Sequence, residues 1–372
     1  MRVGIVLSRI ENGGLERVQA HIAKQLQERG FDVLVAAGRV LHRNPQIFPM
    51  PVEEISRPGR LWFPFALAAF LRRAKLDCIF TTSNDVACLA VALKRMWFRD
   101  LKVVVTQHTS LSGPLAQARG IHRMKLLAVR VAMRLALPHA DAVVAVTQNV
   151  AGDLESHCGL GKGHVQVIRN PVISPDFDDL AVAPTQCPWP EDGMPVVVFL
   201  GRLSPEKRID LLLEAVARLR AEIDLRLVII GEGPQRTWIE DRIAAAGFGE
   251  ACVMTGFIDN VLPLLCKADL LVLPSDFEGS GNVLVEAMAC GVQVVATDCP
   301  HGPSEILEQG RYGQLVPMND ASALHAAIRR SLRGEVRMDP ALLKSRARQF
   351  SVSEAADAYF ALVGRVALTS AI

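Results

Sequence analysis

The chain has 372 residues, half of them hydrophobic and 22% charged, with a formal net charge of +2. That length predicts two to three domains, and the composition excludes a disordered chain and a core that needs disulfide or metal staples. The charge is unevenly placed: residues 1–172 carry 23 Lys and Arg against 12 Asp and Glu, and the remainder 18 against 27, which predicts two domains with different tasks, the basic one facing an anionic partner or surface.

In chain order, residues 1–7 (Met-Arg-Val-Gly-Ile-Val-Leu) read as a buried parallel strand. The turn Glu11-Asn12-Gly13-Gly14 follows. Leu15, Val18, Ile22 and Leu26 then keep helical spacing up to Gly30, and residues 31–36 form a second strand. This β–loop–α–β start opens many doubly wound folds. Further apolar runs at 78–81, 103–106, 142–146 and 165–168, with helical stretches between them, complete a parallel-sheet domain. Residues 171–195 hold six prolines and read as an interdomain linker. The pattern restarts with strands at 196–200, 225–230, 270–273 and 292–297 and helices at 210–219 and 282–290. The expected fold is therefore α/β, with two Rossmann-like parallel-sheet domains facing each other across a cleft: 1–172, a linker 173–194, and 195–350. Ligands in open α/β sheets bind beyond the carboxyl ends of the strands.

Several classes fall away. The eight cysteines are scattered, without C-x-x-C or zinc spacing, and read as reduced core thiols of a cytoplasmic protein. No apolar run reaches the roughly 20 residues of a spanning helix, and the N-terminus turns polar too soon for a signal peptide. Neither domain has G-x-G-x-x-G after its first strand, which argues against an oxidoreductase.

Four strand ends carry candidate chemistry. In Gly201-Arg202-Leu203-Ser204-Pro205-Glu206-Lys207, a guanidinium fork and an ammonium can converge on one diphosphate; the plainer alternative is a solvated turn. In the segment from Asp276 to Gly291, Gly279 and Gly281 let backbone N–H groups and a helix N-terminus meet phosphate. Glu278 and Glu286 there are acceptors for sugar hydroxyls, or else a helix cap and a surface charge. Gly13-Gly14 opens the first helix and suits a phosphate. His108 follows a strand of the first domain and is a candidate by position.

Together these segments resemble the retaining glycosyltransferases of GT-B architecture, specifically glycosyltransferase family 4 (glycosyl transferases group 1). The resemblance rests on VFLGRLSPEKRIDLLLEA, LVIIGEGP, MTGFIDN and ADLLVLPSDFEGSGNVLVEAMACGVQVVATD, whose E-x7-E element runs from Glu278 to Glu286. It implies that Arg202 and Lys207 bind the donor diphosphate, that Glu278 contacts the donor sugar, and that Glu286 holds the ribose. The amides of Gly279, Ser280, Gly281, Asn282 and Val283 would meet sugar and phosphate. His108 would stand near the donor sugar, Gly14 in a loop meeting phosphate or acceptor, and Glu232 and Ile258 at the base pocket. Where relatives read E-G-F-P-N-V this chain reads E-G-S-G-N-V, which bears on sugar preference. Glu305 is a further sugar contact or a helix N-terminal charge.

The resemblance also implies same-face attack, with the leaving phosphate accepting the acceptor's proton, domain closure on the donor, no metal and no cofactor beyond the nucleotide sugar. The expected activity moves a hexosyl unit from a UDP-sugar to a saccharide or lipid-linked saccharide acceptor. The alternatives are a GDP-mannose-dependent mannosyltransferase, a sugar-nucleotide epimerase, and a non-catalytic nucleotide-sugar binding subunit. No nucleic-acid partner is expected. Arg119, His122, Arg123, Lys125, Arg130 and Arg134 alternate with apolar residues in one expected helix, and Leu61-Trp62-Phe63-Pro64-Phe65 adds aromatics. Both read as a peripheral contact with anionic lipid on the inner face of the cytoplasmic membrane, or as ordinary solvated helices. A C-terminal helix at about 353–366 is expected to cross back to the first domain.

Overall fold

The computed structural model describes residues 1–11, 13–41, 48, 50–55 and 62–368. Asn12 and Leu61 lie outside the described residues. The chain divides into two compact units, Met1–Pro171 with Val352–Ile372, and Val172–Ser351.

The first unit holds a parallel sheet of β1 (Arg2–Leu7), β2 (Asp32–Ala37), β3 (Val52–Glu54), β4 (Cys78–Thr81), β5 (Lys102–Gln107), β6 (Ala142–Ala145) and β7 (Val165–Val167), in the order β3-β2-β1-β4-β5-β6-β7. Side-chain alternation sorts its strands between two cores. Val6, Ile79, Val103 and Val105 point to helices Phe63–Ala74, Asn84–Met96, Gly120–Ala136 and Gln148–Cys158. Val3, Ile5, Leu7, Phe80 and Val104 point to helices Gly14–Glu28 and Val352–Leu368. Both faces are covered, which is why the strands read as continuous apolar runs. The C-terminal helix belongs to this unit. Its Tyr359 is 1% exposed, meets Phe80 edge-on at 5.8 Å and bonds to the Thr106 side chain.

The second unit holds β8 (Val196–Leu200), β9 (Arg226–Ile230), β10 (Cys252–Gly256), β11 (Leu270–Leu273), β12 (Gln293–Thr297) and β13 (Gln314–Val316), all parallel, in the order β10-β9-β8-β11-β12-β13.

Three differences from the sequence reading stand out. Strands β3, β10 and β13 were not anticipated; they sit at sheet edges and are only half-buried, so their apolar signal is weak. The proline-rich stretch 173–194 is not a free linker. Its Phe177 and Trp189 are buried, a short helix spans Phe177–Ala181, and Asn260 Nδ2 donates to the Leu180 carbonyl at 2.8 Å. Composition reported the backbone's irregularity there, but two aromatic anchors fix it to the second unit. Last, the cysteines are not all core thiols, since Cys266 is exposed.

Candidate active site

Both sheets reverse their strand order once, and the reversal opens a crevice at the carboxyl ends of the two strands flanking it. In the second unit those strands are β8 and β11. The loop after β8 is the segment that contains Arg202 and Lys207; the loop after β11 contains Glu278. The sheet order thus brings together residues 71 positions apart: Lys207 Nζ donates to Glu278 Oε1 at 2.5 Å. The pair is well covered, its side chains 19% and 9% exposed. Ser275 Oγ donates to the same oxygen at 2.6 Å. Glu278 therefore does not cap the helix Asn282–Cys290, whose N-cap is Gly281 in a left-handed conformation with no side-chain cap. An L side chain is strained in that conformation, so glycine suits the position.

Further bonds tie the two loops. Asp276 N donates to the Glu206 carbonyl at 2.8 Å, and Arg208 bonds both Asp210 and Asp276, each at 3.0 Å. Thr297, at the end of β12, donates to the Ser275 carbonyl at 2.5 Å. Arg202 is exposed; it is Lys207 that holds Glu278. Ser280 and Gly281 are buried, while Gly279, Asn282, Val283 and Glu286 are half-buried along the loop and the first turns of the helix. The segment after β12 closes on this loop: a Cβ on Gly302 would come 2.7 Å from the Ser280 carbonyl oxygen. The neighbouring Glu305 offers its carbonyl to the Arg346 guanidinium at 2.8 Å.

Glu232 follows β9, is exposed, and pairs with Arg236. Ile258 is half-buried against the core. Ser275, Asp276 and Arg208 were not singled out from the sequence. Their one signal is that they flank Glu278 and Lys207, and their partners depend on the sheet order.

In the first unit the order reverses between β1 and β4, where Ser83 Oγ donates to Ser8 Oγ at 3.0 Å. Gly14 is exposed as the first residue of helix Gly14–Glu28. Glu16, in that first turn, is buried and accepts from Glu11 N at 3.0 Å, and burial raises its carboxyl above the usual range. His108 follows β5. Its Nε2 lies 3.2 Å from Nε2 of the buried Gln19. With that amide nitrogen as donor, the ring proton sits on Nδ1. Burial pushes the imidazole down to about 4, against an opposing hydrogen bond with Asn170, so at neutral pH the ring is uncharged.

Comparison with known proteins gives concordant matches. Residues 194–333 match glycosyl transferases group 1, and residues 12–173 match Glycosyltransferase Family 4. Glycogen synthase of Mycobacterium tuberculosis is 30% identical over 375 residues, covering 90% of this chain and 85% of the relative. The N-acetylgalactosamine-N,N'-diacetylbacillosaminyl-diphospho-undecaprenol 4-alpha-N-acetylgalactosaminyltransferase of Campylobacter jejuni is 25% identical over 342 residues, covering 89% and 90%. Among solved structures, Anabaena Alr3699/HepE in complex with UDP-glucose superposes with a TM-score of 0.77 at 20% identity, covering 98% and 99%. With two doubly wound parallel sheets, and matches to both halves of one family, the chain belongs to the group 1, family 4 glycosyltransferases of GT-B architecture.

Proposed function

We propose that the protein is a retaining hexosyltransferase. It takes its donor from the UDP-sugars and passes the sugar to a saccharide or lipid-linked saccharide acceptor in bacterial surface polysaccharide synthesis. The observation that carries the reading is the Lys207–Glu278 pair at the β8/β11 switch point. Lys207 supplies a fixed positive charge where a diphosphate leaves. Glu278 has Oε1 tied down by two donors, while Oε2 takes no bond among the described residues and is suited to accept from a sugar hydroxyl. The relatives support the substrates: one solved neighbour holds UDP-glucose, and one relative's name specifies a diphospho-undecaprenol acceptor.

In this mechanism the bond between the anomeric carbon and the donor phosphate oxygen breaks with its electrons going to the phosphate. The transition state has oxocarbenium character. Lys207 and Arg202 stabilise the charge that develops on the diphosphate. The amides of Gly279, Ser280, Gly281, Asn282 and Val283 and the helix N-terminus add fixed dipoles. The acceptor hydroxyl attacks the same face and gives its proton to the departing phosphate oxygen. Glu286 holds the ribose, Glu232 and Ile258 border the base, and Gly14 and the neutral His108 are the first unit's contacts with the substrates. No metal and no further cofactor takes part.

The acceptor's lipid brings the first unit to the inner face of the cytoplasmic membrane. Helix Gly120–Ala136 turns an apolar stripe outward: Ile121, Met124, Val131 and Leu135 are 77%, 68%, 56% and 71% exposed. His122, Arg123, Lys125 and Arg134 flank it. Such a face suits anionic lipid. Trp62 and Phe65, also exposed, stand 6.0 Å apart at the start of helix Phe63–Ala74. Among the described residues no helix is long and apolar enough to cross a membrane.

The test is a thermal-shift screen with UDP, GDP and their sugar conjugates, followed by turnover with the best donor. UDP-sugars are expected to raise the melting temperature by mass action, and Glu278→Gln and Lys207→Met to lower turnover by roughly 100-fold or more. A shift confined to GDP-mannose assigns a mannosyltransferase. Full turnover in both variants overturns the site. Flotation with vesicles that is independent of anionic lipid removes the membrane contact.

A further inference from the structure

Eight cysteines are spread through the chain, and two of them meet. Cys266 caps helix Leu262–Leu265 and Cys290 ends helix Asn282–Cys290. Their sulfurs are 2.7 Å apart. Cys266 is exposed and Cys290 half-buried, so one sulfur is open to solution and the other waits behind it. Nothing in the transferase reading uses either. We propose that Cys266 and Cys290 form a reversible redox pair, oxidised to an intramolecular disulfide by hydrogen peroxide.

The remaining chemistry favours that direction. The hydrogen bond shared with Cys290 pulls the Cys266 thiol below its ordinary range, and the positive charge of Lys344 assists. The same bond pushes Cys290 up. Burial pushes Cys78, Cys252 and Cys299 up to about 12 and Cys88 and Cys158 to about 11. The thiolate is the reactive form, so Cys266 is the first to be oxidised. Its sulfur lone pair forms a bond to one peroxide oxygen, the O–O bond breaks with its electron pair leaving on hydroxide, which takes up the proton lost by the thiol, and Cys266 becomes a sulfenic acid. The Cys290 sulfur then attacks that sulfur, the S–S bond forms, and the hydroxyl departs with the Cys290 proton as water. In sum, two thiols and one peroxide give a disulfide and two waters. The sulfurs need to approach by only roughly 0.7 Å more to bond.

The bridge closes the segment that runs through β11, the Glu278 loop and the whole of helix Asn282–Cys290. It ties the two ends of that segment in the unfolded chain as well as the folded one, so the oxidised form melts higher. In a reducing compartment the pair stays as two thiols.

The full chain is treated with hydrogen peroxide, alkylated, digested with trypsin and read by mass spectrometry. Residues 243–267 and 268–311 are the peptides that hold Cys266 and Cys290, and they also hold Cys252 and Cys299. The variants therefore decide. The cross-linked peptide pair is expected in the parent chain, in Cys252→Ser and in Cys299→Ser, with loss of two alkylatable thiols and full reversal by dithiothreitol. It is expected to vanish in Cys266→Ser and in Cys290→Ser. A cross-link that survives in Cys266→Ser, or oxidation of Cys266 to sulfinic acid without a bridge, overturns the proposal. None of these readouts depends on glycosyl transfer, so failure here leaves the transferase reading untouched.

Discussion

His108 shows how burial sets the state of a single residue. The imidazole falls from 6.5 to about 4 in the folded chain, so above pH 6.5 the ring is neutral in both states and contributes nothing to pH-dependent stability. Between 6.5 and about 4 the unfolded chain binds the proton and the folded one does not, so stability falls as the pH drops. Below about 4 both forms are protonated and the loss levels off. The residue as a whole keeps some contact with solvent, so the total loss is roughly 1–3 kcal/mol. His108→Gln is expected to lose less melting temperature than the parent between pH 7 and pH 4.5. Equal losses would show that the ring is not buried as described. The residue's place after β5 was legible in the sequence, because a strand of three valines leads into it. Its partner Gln19 was not, since 89 residues separate them.

At the scale of elements, the strand ends decide the site. Gly231 follows β9 at φ +140, and a Cβ there would stand 1.9 Å from the Gly201 carbonyl oxygen. That oxygen belongs to backbone, on the loop that leads to Arg202 and Lys207, so it cannot turn aside as a side chain would. Gly231→Ala is expected to cost about 2–4 kcal/mol and to weaken donor binding by displacing that loop. Gly14→Ala meets nothing within 4 Å and is expected to stabilise helix Gly14–Glu28 by up to about 1 kcal/mol. Denaturant melts of the two variants check both signs. A Gly231→Ala chain as stable as the parent would mean that the β8 and β9 loops are not in contact. Glycines at strand ends are visible in a sequence; which of them faces another backbone is not.

At the scale of the whole molecule, the last helix returns to the first unit. Phe360 meets Phe31 edge-on at 5.9 Å, Asp357 pairs with Arg29, and Tyr359 fills the core beside Phe80. Tyr359→Ala is expected to cost about 3–5 kcal/mol. Amide hydrogen exchange is expected to speed up in β1, β4 and β5 and to stay unchanged in β8 and β11. Equal acceleration in both sheets would contradict the division of the core. The first unit, which carries the excess of basic residues, also carries helix Gly120–Ala136, exposed along an apolar stripe that Arg123, Lys125 and Arg134 flank.

What the sequence determined by itself is local. Apolar runs covered on both faces, stopped by glycine or proline, mark the central strands to within a residue or two, because burial on both faces leaves no room for polar alternation. The loop composition around Lys207 and Glu278 is equally local, and it suffices to point to the family. The tertiary structure decided everything that depends on strand order. It set β11 beside β8, and so Lys207 against Glu278. It added the half-buried edge strands β3, β10 and β13, whose pairing replaces the missing apolar signal. It pinned residues 173–194 through Phe177 and Trp189, and it brought Cys266 to Cys290. Each of these is a contact between distant positions, and its free energy belongs to the packed pair, so neither residue carries the signal alone.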